Sequence, residues 1–192
     1  MYLIDGPIPL LVGTPFVVIW CAARLIRGAS RSRVALEALF ALYVLGLLGV
    51  TLFPILLGTP PEDVLGGGIA DSVNLVPLRS LAGIIGVGHR QVLRQIGGNI
   101  VLFVPLGVMG PLLWPRMRSI GGLLVVGVVA SVTVELLQLA QLGAHVAFAR
   151  SVDIDDVLLN TCGALVGWGL WRVARALTNK GIERTASGRI NQ

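Results

Sequence analysis

Five apolar runs, each close to twenty residues long, leave this chain few folds to choose from. They are Ile8 to Ile26, Val34 to Leu57, Ile96 to Trp114, Ser119 to Leu142 and Val157 to Ala174. A helix needs about 20 apolar residues to cross the hydrocarbon core of a bilayer, each residue adding about 1.5 Å. That core offers no water to the backbone, so a spanning segment satisfies its own hydrogen bonds as a helix or closes into a barrel. Runs of this length point to helices. Composition agrees: 55% of the residues are hydrophobic and 13% charged, against about 25% charged in soluble domains. The expectation is an all-α, multi-pass membrane bundle of about five transmembrane helices in the lipid bilayer. Pro105 and Pro111 fall inside the third run, and membrane helices tolerate proline where neighbours satisfy the freed carbonyls.

Charge is distributed unevenly between the connections. Arg24, Arg27, Arg31, Arg33, Arg116, Arg118, Arg172, Arg175, Lys180, Arg184 and Arg189 fall on one side of a five-span topology. Only Arg79, Arg90, Arg94 and Arg150 fall on the other, with Asp5, Glu62, Asp63, Asp71, Asp153, Asp155 and Asp156. Basic residues are retained in the cytoplasm. The expected placement is therefore the cell membrane, with the N-terminus outside and the C-terminus cytoplasmic. Residues 1–177 read as one transmembrane domain and residues 178–192 as a cytoplasmic basic tail. The first run lacks the positive lead of a secretory signal, so it is expected to be retained.

The second connection, Gly58 to Gln95, is Pro/Gly-rich at first and then too apolar for a solvated loop. In its later part Val92, Leu93 and Ile96 share one helical face, and Arg90 and Arg94 another. That pattern predicts an outer-face interfacial helix between spans 2 and 3, or equally a cap packed on the bundle.

Polar residues inside spans carry the functional signal, because lipid offers them no partners. Ser131, Glu135 and Gln138 follow i, i+4, i+7 spacing and form a stripe near the outer end of the fourth span. Asp153, Asp156, Asn160, Gly163 and Gly167 form a second stripe on the fifth, its glycines suited to close helix approach. Asn99 opens the third span at a similar depth. Each has a structural reading beside the functional one. Glu135 could pair with Arg79 or Arg150 to fix helix register. Asn99 and Asn160 could be interhelical glue. Asp153 or Asp156 could cap the fifth helix, and Asp155 could simply be solvated. Glu37 can snorkel toward Arg33.

Other chemistries are poorly represented. No basic stripe interleaves with aromatics, so nucleic acid is not expected. The two cysteines, Cys21 and Cys162, sit in apolar runs and read as small hydrophobes. His89 and His145 stand alone. "DIDD" lacks the spacing of a calcium loop, and no Cys/His cluster suits zinc. Neither metal nor cofactor is expected. No nucleotide-binding loop or nucleophile elbow is present.

Four motifs together resemble the VanZ-like family of bacterial integral membrane proteins. They are "NLVPLRSL" (Asn74 to Leu81), "GNIVLFVPLG" (Gly98 to Gly107), "VELLQL" (Val134 to Leu139) and "RSVDIDDVLLNTCGALVG" (Arg150 to Gly167). Their order and spacing match, over about half the chain. The residues fitting the pattern are Asn74, Pro77, Asn99, Pro105, Gly107, Glu135, Gln138, Arg150, Asp153, Asp156, Asn160 and Gly163. Leu78 departs from it, since an aromatic often follows that proline. The resemblance implies a small multi-pass protein; the family's founding member is associated with low-level resistance to teicoplanin, a glycopeptide that binds peptidoglycan precursors.

Two functions fit these residues. In the first, Asn74, Arg79, Asn99, Gln138, Arg150 and Asn160 bind a lipid-linked envelope precursor or a phospholipid headgroup at the outer face. Arginine suits phosphate, while asparagines and carboxylates suit sugar hydroxyls or ammonium groups. In the second, Glu135 with Asp153 or Asp156 performs acid/base hydrolysis or group transfer on a membrane-embedded lipid substrate. Transport ranks last, because the five spans show no internal repeat.

Overall fold

The computed structural model describes residues 2–57, 73–84, 93–144, 146 and 152–190. Its element order is β1 (Tyr2–Ile4), α1 (Ile8–Ile26), α2 (Arg31–Leu52), β2 (Ile55–Leu57), β3 (Val73–Asn74), α3 (Arg79–Ile84), α4 (Leu93–Leu113), α5 (Ile120–Gly143), β4 (Val152–Asp153) and α6 (Ile154–Ile190). Five of the helices, α1, α2, α4, α5 and the Ile154–Asn179 part of α6, are long and apolar enough to span a membrane. The all-α membrane bundle is thus present as expected. Its exterior is apolar: Leu11 is 71% exposed and Phe16 69%. Such surface is stable only against lipid.

The second span ends earlier than its apolar run. Proline has no N–H and pushes the preceding residue into extended backbone, so α2 stops at Leu52 and Phe53 is extended before Pro54. Ile55–Leu57 then pair antiparallel with Tyr2–Ile4. This small sheet replaces the last turn of helix expected there. At the start of α4 the opposite occurs, with a π-helical turn over Leu93–Gly97 leading into the α-helix from Gly98. Of the interfacial segment, α3 is a short helix and Arg90 and Val92 lie outside the described residues.

The core is built where α4, α5 and α6 meet, around Phe103, Leu106, Met117, Leu123 and Ala164. Glycine sets the spacing of α4 and α6. A Cβ at Gly163 would collide with the Ile100 carbonyl, one at Gly167 with that of Val104, and one at Gly107 with that of Ala164. The small-residue stripe of the fifth span therefore lies backbone-to-backbone on the third, as its spacing predicted. Asn160, one turn nearer the helix start, donates to Ser131 Oγ of α5 at 2.9 Å, so one helix is tied to both neighbours.

Successive spans gather the arginines at one end of the bundle. Four residues of that end carry much of its hydrogen bonding. Arg33 donates to the Leu112 and Leu113 carbonyls at 3.2 and 2.9 Å, and Arg118 to that of Pro111 at 3.1 Å. These are last-turn carbonyls of α4, which have no partner within the helix. Glu37 accepts from Arg33 at 2.8 Å, as expected, and also from Arg24 at 3.3 Å. The opposite end holds both small sheets and the first-turn carboxylates of α6, Asp155 and Asp156.

Candidate functional site

The acidic end is organised by a junction between distant pieces of chain. Val73–Asn74 pair in parallel with Val152–Asp153, Asn74 opposite Asp153. Asp153 then caps α6, its Oδ1 accepting from the Asp155 N–H at 2.9 Å and from Asn74 Nδ2 at 2.9 Å. This is the capping role expected of Asp153 or Asp156. Asn74 also donates to Ser80 Oγ at 3.0 Å and accepts from the Val76 N–H at 3.2 Å. One asparagine thus fixes both the turn that follows it and the start of α6.

The segment from Asn74 into α3 makes a tight turn. Arg79 N–H donates to the Val76 carbonyl at 3.3 Å, and Leu78 sits at φ 65°. A left-handed backbone costs a non-glycine residue roughly 1–2 kcal/mol. Asp155 holds it there: its Oδ1 accepts from the Leu78 N–H and its Oδ2 from the Leu81 N–H at 3.1 Å. The solvated reading of Asp155 is not the one the structure takes. It is 0% exposed, because both oxygens are turned into the backbone of a segment more than seventy residues earlier in the chain.

Glu135 reaches the same junction from α5. It is 6% exposed, and its Oε2 accepts from the Asp153 N–H at 3.0 Å. Its partner is a backbone donor. Arg79 makes no ion pair among the described residues, and Arg150 lies outside them. Asp156, one turn into α6, accepts from Asn99 Nδ2 of α4. Glu135, Asp153, Asp156, Asn74, Asn99 and Asn160 therefore belong to one region where three spans and the Asn74 turn converge.

Gln138 points elsewhere. It donates to the Thr51 carbonyl of α2 at 3.0 Å, and Gln141 to that of Leu52 at 2.9 Å. The pair fastens the end of α2, whose carbonyls Pro54 helps to leave unsatisfied. Gln141 was absent from the sequence candidates, although its place one turn beyond Gln138 in an apolar span is the same signal. Ser80 and the Leu78 and Leu81 amides were also missed, and backbone donors have no signature in side-chain pattern.

Electrostatically the region is unbalanced. Among the described residues no arginine or lysine pairs with Glu135, Asp153, Asp155 or Asp156. Asp155 spends both oxygens on the fold, and Asp153 its Oδ1. Glu135 Oε1, Asp153 Oδ2 and Asp156 Oδ2 receive no hydrogen bond among the described residues. Asn160 Oδ1 is likewise buried without a partner. Among the described residues, no group of three or more metal-ligating side chains is arranged to hold an ion.

Five apolar spans with a buried acidic junction at one end of the bundle define a polytopic helical membrane protein. The family model described as VanZ/LLP1 matches residues 40–175, more than half of the chain, and the chain belongs to this VanZ-like family. The match runs from α2 into α6 and includes every residue of the junction. Searches of curated proteins and of solved structures found no match.

Proposed function

We propose that this VanZ-like protein acts at the outer face of the cell membrane, where Glu135 and Asp156 bind the hydroxyl or ammonium groups of a lipid-linked envelope component. One observation carries the reading: Glu135 and Asp156 each keep an oxygen unclaimed among the described residues, while Asp155 spends both of its oxygens on the fold and Asp153 is held as the cap of α6. Carboxylates without a cationic partner among the described residues, in a region of low dielectric, favour a ligand that donates hydrogen bonds or carries positive charge. The buried, unpartnered Asn160 Oδ1 adds a third acceptor. The outer-face assignment rests on the arginine asymmetry, which puts the opposite end in the cytoplasm. Arg79 and Arg150 are proposed to meet a phosphate on the same ligand.

A role in low-level resistance to teicoplanin-type glycopeptides follows from the same site, since those drugs act on lipid-linked precursors at that surface. Catalysis is the second reading. With Asp153 occupied as a cap, the acid/base pair reduces to Glu135 and Asp156, each with an oxygen that receives no hydrogen bond among the described residues. The test is complementation of a deletion strain with wild type, Glu135→Gln or Asp156→Asn, followed by teicoplanin susceptibility and envelope lipid analysis. The binding reading expects the variants to insert normally and to lose the protection. Wild-type protection by both variants would overturn it. Accumulation of one lipid species that wild type converts would select catalysis.

A further inference from the structure

A second feature lies away from the acidic junction and is independent of the function proposed for it. Between α2, α4 and α5 runs a cavity of about 520 Å³ whose walls include Phe40, Tyr43, Leu47, Phe103, Val134 and Leu137. It extends along α5 from Val126 to Leu137, about 16 Å of helix. Val126 is 36% exposed and Leu137 41%, so the groove opens sideways, toward lipid. Its hydroxyls are already committed. Tyr43 donates to the Leu102 carbonyl at 2.9 Å and Thr133 to that of Val129 at 2.7 Å. The interior therefore asks for an apolar occupant.

The arginine-end mouth is different. Arg116 is the charged residue of the lining, and its side chain has no ion pair or hydrogen bond among the described residues. Arg33 and Arg118, close by in the fold, are committed to α4 carbonyls. Trp114 lines the same mouth, at the depth where tryptophan and arginine meet headgroups. A long apolar slot with a cation uncommitted among the described residues at its membrane-surface end is complementary to a single amphiphile with an anionic head.

We propose that this groove binds one anionic phospholipid of the surrounding leaflet, an acyl chain lying between α2 and α5 and the phosphate on Arg116. The full-length protein in detergent is titrated with dioleoylphosphatidylglycerol, dioleoylphosphatidylcholine, dioleoylglycerol or glycerol phosphate, and adducts are counted by native mass spectrometry. Wild type should retain one phosphatidylglycerol about ten-fold more strongly than phosphatidylcholine, as one charge-assisted contact allows. Glycerol phosphate, having no tails, should not bind. Arg116→Gln should erase the headgroup preference and keep tail binding. Thr133→Trp, which fills the slot from an exposed position without entering the core, should lower retention of every lipid. An unchanged preference in Arg116→Gln, or unchanged retention in Thr133→Trp, would overturn the proposal. So would a dimer that excludes lipid from the groove.

Discussion

Replacing Asp155 with asparagine isolates what the acidic junction does for the fold. The carboxylate accepts two backbone N–H groups, Leu78 and Leu81, and an amide has one oxygen for the two. Its NH2 would face the second N–H. The loss is one hydrogen bond to a charged acceptor, about 1.5–3 kcal/mol, with a buried donor left unpaired. Holding Leu78 at φ 65° costs roughly 1–2 kcal/mol, so the lost bond is large enough to release the turn. Local opening is read by hydrogen exchange. A change of about 3 kcal/mol corresponds to roughly 100-fold faster exchange. Asp155→Asn should therefore speed exchange at the Leu78 and Leu81 amides by about that factor, while mid-span amides of α4 and α5 stay protected. Unchanged rates at the two amides would refute the latch. Equal loss of protection throughout α4 and α6 would show instead that Asp155 supports the bundle.

Gly163→Leu should prevent α4 and α6 from closing and cost at least the ~1–3 kcal/mol of an overpacked core, read as thermal stability in detergent. Gly169→Leu, where nothing lies within 4 Å of an added Cβ, should be nearly silent. A double-mutant cycle on Ser131→Ala and Asn160→Ala should give a coupling of about 0.6 kcal/mol, the scale of membrane hydrogen bonds; zero coupling would mean the 2.9 Å contact contributes nothing. Arg33→Gln strips two carbonyl caps from α4 and should lower the melting temperature, whereas Arg116→Gln, at a side chain without a partner among the described residues, should not. Reporter fusions after Asn179 should be active only in a form that works in the cytoplasm, and an active periplasmic reporter there would reverse the proposed orientation.

The spans were legible because their signal is local. Twenty apolar residues specify a membrane helix whatever surrounds them, and the Gly163, Gly167 stripe foretold a close helix contact. Ends were less legible: the apolar run continues through Leu57, and only Pro54 marks where α2 gives way to a strand. The two small sheets carry no periodicity, since each joins residues more than fifty positions apart. The site was half visible. Side-chain spacing gathered Glu135, Asp153, Asp156, Asn160 and Asn99, but it offered water to Asp155 and did not find the backbone partner of Glu135. Both gaps share one cause. The donors are backbone N–H groups freed at a helix start and a tight turn, and side-chain pattern does not encode them.

The proposed division of labour, in which Glu135 and Asp156 hold a ligand while Asp155 holds the fold, can be tested in one comparison. The most direct measurement is of the lipids that co-purify with wild type, Glu135→Gln and Asp155→Asn from the same membranes. The amide introduced by Glu135→Gln can still accept from the Asp153 N–H, so this variant should keep wild-type stability and wild-type exchange at Leu78 and Leu81. It should also lose the enrichment of lipid-linked envelope species that wild type carries. Co-purified lipids identical between wild type and a stably folded Glu135→Gln would contradict the claim.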